Sequence, residues 1–223
     1  MKLSNETVSV LKNFSDINSG LKFRQGNKIS TVSPSKTILA EATVSEDFPQ
    51  DFCVYDLTQF LSVLNLYPDA DLTVDSVNVT FNSGRRKTQY RVTAENQIVT
   101  PPNKVLSLPT IDVEFTLSED DLAWLLKTAS ILQSPNVAVY SDGESASVVT
   151  FNAIDDSAST NSIDLEFKPL TSFKMVFKTE NLKLIPGAYE VQISKAGIAL
   201  FKNTKLDIQY WIAIEANASK FGE

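Results

Sequence analysis

Apolar positions recur along the chain with two different periods, and the switches between them mark out the elements. Lys36–Thr43, Asp71–Val74, Asn78–Phe81, Gln89–Thr93, Ser147–Ala153, Ser162–Phe167, Phe173–Phe177, Tyr189–Ile193 and Leu206–Ile214 are short runs rich in β-branched and aromatic residues. Several alternate apolar with polar, the pattern of half-buried strands. Ser83-Gly84, Asp142-Gly143, Pro186-Gly187 and Ala196-Gly197 supply turn signals between them.

Four segments follow a helical period instead. In the first, Ser4–Phe14, residues Leu3, Thr7, Val10, Leu11, Phe14 and Ile17 share one face, and Asn5, Ser9 and Lys12 share the opposite one. Ser4 is placed to cap it, with Glu6 in the first turn near the positive helix end. The second, Asp56–Leu66, turns Leu57, Phe60, Leu61 and Leu64 inward. The third, Ser118–Ser130, turns Leu122, Leu125, Leu126 and Ala129 inward and opens with Ser118-Glu119-Asp120-Asp121, a capping serine followed by acids. The fourth is short, Thr179–Ile185, and Pro186-Gly187 ends it.

The order of elements repeats. Leu3-Ser4, helix, Leu11-Lys12 resembles Leu117-Ser118, helix, Leu126-Lys127, with helix starts 114 residues apart. Phe52 and Leu61 match Phe173 and Leu182 at an offset of 121, and Gln89-Tyr90-Arg91-Val92 matches Gln209-Tyr210-Trp211-Ile212 at 120. Each half reads helix, strands, short helix, strands, which predicts an internal duplication. Glu95–Thr110 holds Pro101-Pro102 and Pro109, which suit neither a central strand nor a helix interior. We therefore expect domains at residues 1–96 and 112–223, joined by an extended linker at 97–111.

Composition narrows the chemistry. The chain has 223 residues, one cysteine and no histidine. An internal disulfide, a zinc site of the usual Cys/His type and a Ser-His or Cys-His pair are excluded on ligand supply. Cys53 lies in the apolar run Phe52-Cys53-Val54-Tyr55 and reads as a small buried hydrophobe. There is no Gly-rich phosphate loop. We expect no enzyme activity, no metal and no cofactor. No run is long and apolar enough to span a membrane, and the opening residues lack a signal-peptide core, so a soluble intracellular protein is expected. The net charge of −7 argues against a protein that grips nucleic acid by many phosphate contacts.

The opening Met1-Lys2-Leu3-Ser4, Leu11-Lys12-Asn13-Phe14, Ile17-Asn18-Ser19-Gly20, Tyr55-Asp56-Leu57, Pro102-Asn103-Lys104, Glu119-Asp120-Asp121-Leu122, Leu125-Leu126-Lys127, Pro186-Gly187-Ala188-Tyr189 and Ala213-Ile214-Glu215-Ala216 run nearly the whole length of the chain. Together they resemble the trimeric sliding clamps of T-even-type phages, relatives of PCNA. The resemblance implies an α+β fold with two similar clamp domains per chain, helices lining the inner face of a ring and antiparallel sheets outside. It implies a processivity factor: a homotrimer that encircles double-stranded DNA, slides along it and tethers the replicative DNA polymerase. It further implies an ATP-dependent clamp loader as partner, late-transcription factors as further partners, and a location in the cytoplasm of the infected bacterial host. Four helices in each of three chains make twelve; at about 9–10 Å apiece they close a circle roughly 35–38 Å across, wide enough for a duplex of roughly 20 Å.

A ring holds DNA by topology, so sparse inner lysines and an acidic exterior are compatible with the charge. Lys12 and Lys127 are the expected DNA-facing residues, with Lys178 and Lys183 beside the fourth helix as further candidates. The second helix carries no basic residue, so the interior is less positive than the family pattern. The family's partner-peptide pocket maps to Val105–Leu108 and Ala213–Glu215, with Leu106, Leu108 and Ile214 as lining. Trp124 falls near the polar side of the third helix; it packs at a subunit contact or under a loop, or stands partly exposed. Arg85-Arg86-Lys87 marks a hairpin tip, either a solvated turn or a contact with loader or DNA. The runner-up reading is a trimeric β-rich phage structural protein, which the duplicated amphipathic helices disfavour.

Overall fold

A computed structural model describes every residue except 68, 104, 105, 168, 170 and 223. The chain divides into two compact units, Met1–Lys104 and Val105–Glu223. Lys104 of the expected linker and Val105 of the expected pocket segment lie outside the described residues.

The first unit runs α1 (Asn5–Ile17), β1 (Leu21–Phe23), β2 (Gly26–Val32), β3 (Ile38–Phe48), β4 (Phe52–Val54), α2 (Leu57–Asn65), β5 (Asp71–Val74), β6 (Asn78–Ser83) and β7 (Arg86–Arg91). Its strands form antiparallel arrays in the orders β4-β1-β2-β3 and β5-β6-β7. Helix α1 buries Thr7, Val10, Leu11, Phe14 and Ile17, the face its sequence period marks out. Helix α2 buries Leu57, Phe60, Leu61 and Leu64. Phe60 joins a ring cluster with Phe23 (6.2 Å between centroids), Phe81 (5.1 Å) and Tyr90 (5.4 Å). Such pairs add about 0.5–1.5 kcal/mol each beyond the area they bury. The hairpin between β6 and β7 turns on Gly84-Arg85, with Gly84 at φ 59°, a backbone region that costs glycine nothing.

The start of the expected linker belongs to the first unit. The Asn18 side-chain amide donates to the carbonyls of Val32 (3.0 Å) and Val99 (2.9 Å). Ile98 packs so closely on Gly20 that a Cβ there would lie 2.6 Å from it. Pro101 is buried.

The second unit runs β8 (Val113–Leu117), α3 (Glu119–Leu132), β9 (Asn136–Asp142), β10 (Ala146–Phe151), β11 (Asn161–Leu165), β12 (Ser172–Lys178), β13 (Tyr189–Ser194), β14 (Ile198–Asn203), β15 (Ile208–Ala213) and β16 (Lys220–Phe221). Its strands are ordered β11-β10-β9-β12-β16 and β15-β14-β13-β8, all antiparallel. Leu122 and Leu125 of α3 meet Val137, Val139, Val148, Phe177, Leu182 and Phe201 around one small void, so both arrays and the helix share a core.

The duplication is visible in backbone detail. Ser4 and Ser118 cap their helices at φ −70°, ψ 159° and φ −69°, ψ 158°, each hydroxyl accepting the N–H three residues on. Met1 exchanges two 2.7 Å backbone hydrogen bonds with Leu72 of β5, as β8 pairs with β13 in the second unit. Phe52 and Phe173, matched at an offset of 121, fall on β4 and β12, and the run matched at 120 falls at β7 and β15, whereas Leu61 lies in α2 and Leu182 just after a 3-10 turn.

The expected fourth helix is absent. Only a single 3-10 turn forms, Thr179–Asn181, so the described residues hold three α-helices. Pro186 disfavours helical backbone at Ile185, and the few residues left are too short a segment to nucleate a helix. Ile185 instead donates its N–H to the Tyr210 hydroxyl (3.2 Å), and its carbonyl accepts from the Tyr189 hydroxyl (2.5 Å). Burial pushes the Tyr189 phenol up to about 12 and Tyr210 higher still, so both stay protonated, Tyr189 donating to Ile185 and Tyr210 accepting from it.

Candidate functional site

Three surfaces present chemistry: the outer helix faces, the open strand edges and a groove beside Ile214.

On α1 the cap is shared with a distant strand. Position three of the helix is Thr7, whose hydroxyl accepts from the Ser4 hydroxyl at 3.0 Å but does not reach back to the Ser4 N–H as a glutamate would. Glu46 of β3 does so instead, accepting from the Ser4 N–H and from the Thr7 hydroxyl. Burial alone would raise the Glu46 carboxyl, but the bonds from Thr7 and Ser4 outweigh it and hold the group below the ordinary glutamate value. Lys12 of α1 is exposed and points away from the buried stripe. On α3, Ser118 caps the helix and its hydroxyl donates to Asp121 at 2.6 Å, so capping there is local. Lys127 is exposed, opposite Leu122, Leu125 and Ala129. Neither lysine is ion-paired with another described residue.

Lys178 and Lys183 are placed differently from expectation. Lys178 ends β12, exposed and 4.0 Å from Glu180, and Lys183 follows the 3-10 turn, also exposed. Without a fourth helix they share no helix face. Helix α2 presents Thr58, Gln59, Ser62 and Asn65 outward and no cation. Trp124 is not under a loop: it stands 48 % exposed on α3.

Among the described residues β7 pairs only with β6, and β11 only with β10. On β7, Thr88 and Tyr90 turn inward while Arg86, Lys87 and Arg91 are exposed, with Arg85 at the hairpin tip. Next to β11 lies a cleft of 620 Å³ lined by apolar residues that include Phe115, Leu117, Ile163 and Leu165 and by the acids Asp121, Asp164 and Glu166. Phe167 stacks on Phe115 there, with centroids 6.1 Å apart. Arg85, Arg86, Lys87, Arg91, Asp164 and Glu166 form no ion pair with other described residues. The β7 edge is basic and the β11 edge acidic. Sequence reasoning located the basic run but not the acidic edge; Asp164 and Glu166, alternating with Ile163 and Leu165, were the available signal.

Ile214 closes a groove of 160 Å³ with Met175, Gly197, Ala216 and Phe221, and Lys195 and Lys220 stand at its rim. The Ile214 N–H donates to the Gly197 carbonyl at 3.0 Å. Leu106 and Leu108 are half-buried, and the structure does not bring them to this groove.

No group of His, Cys, Asp or Glu among the described residues is placed to hold a metal. Cys53 is buried, and burial, followed by the Glu95 charge, pushes its thiol up, away from the reactive thiolate. No helix among the described residues is long and apolar enough to cross a membrane.

Residues 4–100 match the family model described as DNA polymerase processivity factor, and residues 114–216 match that described as gp45 sliding clamp, C terminal. The chain is 36 % identical to the sliding clamp of Vibrio phage KVP40, covering 97 % of this chain and 100 % of that one. It is 32 % identical to the sliding clamp of Escherichia phage RB69, covering 98 % and 99 %. Among solved structures, PCNA from Thermococcus kodakaraensis superposes with a TM-score of 0.68 at 17 % identity, over 94 % of this chain and 96 % of that one. A. fulgidus PCNA, in a structure with the C-terminal region of FEN-1 bound, gives 0.68 at 12 % identity, over 93 % and 94 %.

Proposed function

We propose, because this chain belongs to the sliding-clamp family of DNA polymerase processivity factors, that three copies close head to tail into a ring around duplex DNA. The observation that carries this is the opposite charge of two strand edges, β7 and β11, each paired on one side only among the described residues. An unpaired edge strand is a liability in solution, and a closed ring of identical contacts pairs every one. The basic β7 edge of one copy and the acidic β11 edge of the next supply complementary charge for that pairing, with Arg86, Lys87 and Arg91 opposite Asp164 and Glu166.

In the ring, α1 and α3 turn Lys12 and Lys127 toward the DNA, and Lys178 at the end of β12 and Lys183 in the loop that stands where a fourth helix was expected add charge. The inner wall thus rests on nine α-helices and three compact turns rather than twelve equal helices. So few cations steady the duplex mainly by field, with too few phosphate contacts to hold it at one register, which leaves it free to slide. The segment 97–111 acts as the interdomain linker. The Ile214 groove takes short apolar peptide tails from the replicative polymerase, the ATP-dependent loader and late-transcription factors, with Met175 and Phe221 in place of the expected Leu106 and Leu108 as its apolar lining. The chain itself performs no chemistry and works in the infected host cell, where hydrolysis of ATP is the loader's. Family membership leaves the virion-protein alternative without a supporting finding.

The test is the solution mass. The chain is 24.6 kDa, so light scattering should give about three times that, falling toward one when Arg86 and Lys87 are both changed to Glu. A monomer for the unaltered protein at micromolar concentration would refute ring closure by these edges.

A further inference from the structure

The outward face of α3 is not a polar surface with one cation on it. At about 100° per residue, Trp124 and Ile131 fall within roughly 60° of Lys127 on the helix. Trp124 is 48 % exposed and Ile131 70 %, and nothing among the described residues covers them. Leu122, Leu125 and Ala129 occupy the opposite side, so the core has no use for either residue. Large apolar side chains grouped on a surface mark a site of interaction.

What covers this face must suit a cation between two apolar groups. A purely apolar protein patch would strand Lys127 without a counter-charge. The backbone of a duplex offers both parts: phosphate oxygens for an ammonium and for an indole N–H, and the CH edges of deoxyribose for an aromatic or aliphatic face. We propose that Trp124 and Ile131 lie against the sugar-phosphate backbone of the encircled DNA, with Lys127 and the Trp124 N–H addressing phosphates. This rests on the clamp reading above and gives that reading a second kind of contact. Glu119, Asp120 and Asp121 occupy the first turn of α3 and repel phosphate. The contact is therefore confined to the remainder of the helix, from Trp124 to Ile131. A contact made partly of apolar surface releases few counterions, so it steadies the duplex with little salt dependence and no preference for sequence.

The chain has two tryptophans, and Trp211 is buried at 6 % exposure. Acrylamide quenching therefore reports Trp124, with Trp124→Phe as the blank. The full-length protein is measured free and after loading onto nicked circular plasmid with the phage loader and ATP, and retention on the circles is scored separately by gel filtration. The quenching constant should fall at least about twofold on loading and recover when the plasmid is cut and the protein runs off. Retention on circles with unchanged quenching would overturn the Trp124 contact and leave the clamp reading standing. Protection that follows protein concentration and solution mass without DNA would also overturn it, placing Trp124 against a second copy. No retention on circles would remove the clamp reading and this inference with it.

Discussion

Changing Glu46 to Ala should loosen α1 from its N-terminus, with a pH dependence that identifies the cause. The carboxylate accepts two hydrogen bonds, from the Ser4 N–H and the Thr7 hydroxyl, at the positive end of the helix. Hydrogen bonds to a charged partner contribute about 1.5–3 kcal/mol where buried, and a carboxylate at a helix N-terminus about 0.3–1 kcal/mol. Glu46 is only partly buried, so solvent screens much of this. A loss of about 2 kcal/mol follows for Glu46→Ala, and about 1 kcal/mol for Glu46→Gln, which keeps one acceptor. In a chain of this length the Ala variant should melt about 4–8 °C lower. Because the folded-state carboxyl titrates below its unfolded value, its contribution is full above the unfolded value and disappears as pH falls through the folded one. Urea titrations followed by circular dichroism should show a gap between wild type and Glu46→Ala that is constant from pH 6 to 8. Below the ordinary glutamate range of about 4.3 the gap should close. Equal gaps at pH 3 and pH 7, or no gap at pH 7, would refute the reasoning.

Other expectations follow from the same geometry. Arg86→Glu with Lys87→Glu should raise the trimer dissociation constant by at least about tenfold, and Asp164→Lys with Glu166→Lys in the same chain should restore assembly; sedimentation velocity reads both. Lys12→Glu with Lys127→Glu should leave melting within about 0.5 kcal/mol of wild type, since both side chains are exposed, while cutting the residence time of loaded rings at low salt. Tyr210→Phe should cost about 1–3 kcal/mol by stranding the buried Ile185 N–H, a loss that thermal unfolding detects and that Tyr189→Phe should match in direction.

Much of the fold was legible because the signals were local. The serine caps at positions 4 and 118 announced both long helices, and the 114-residue spacing announced the duplication. Strand β5 falls at Asp71–Val74, the run its alternation marks out. Strands β1 and β4 are three residues each, too short to show a period, and are held by pairing with each other. The fourth helix misled because Leu182 and Ile185 are spaced like a helical face. Tyr189 and Tyr210, strand residues further along the chain, satisfy Ile185 better than a helix could, and no local pattern reveals that. Site residues divide the same way. The exposed placing of Lys12 and Lys127 follows from helical period, whereas the unlike charges of β7 and β11 stand out only once both strands are seen to be edges. Glu46 illustrates the limit: its role at Ser4, a capping task usually done by a residue three positions away, depends on tertiary placement.

The most direct measurement of topological binding compares retention on closed and open DNA. Protein loaded by the phage loader and ATP onto nicked circular plasmid is separated from free protein, and the plasmid is then linearised by a single cut. Rings that stay on circles and leave through the new ends, with a bound stoichiometry of three chains per loaded clamp, are the predicted result. Retention that is indifferent to the cut, or loss from circles and linear DNA alike, would contradict encirclement.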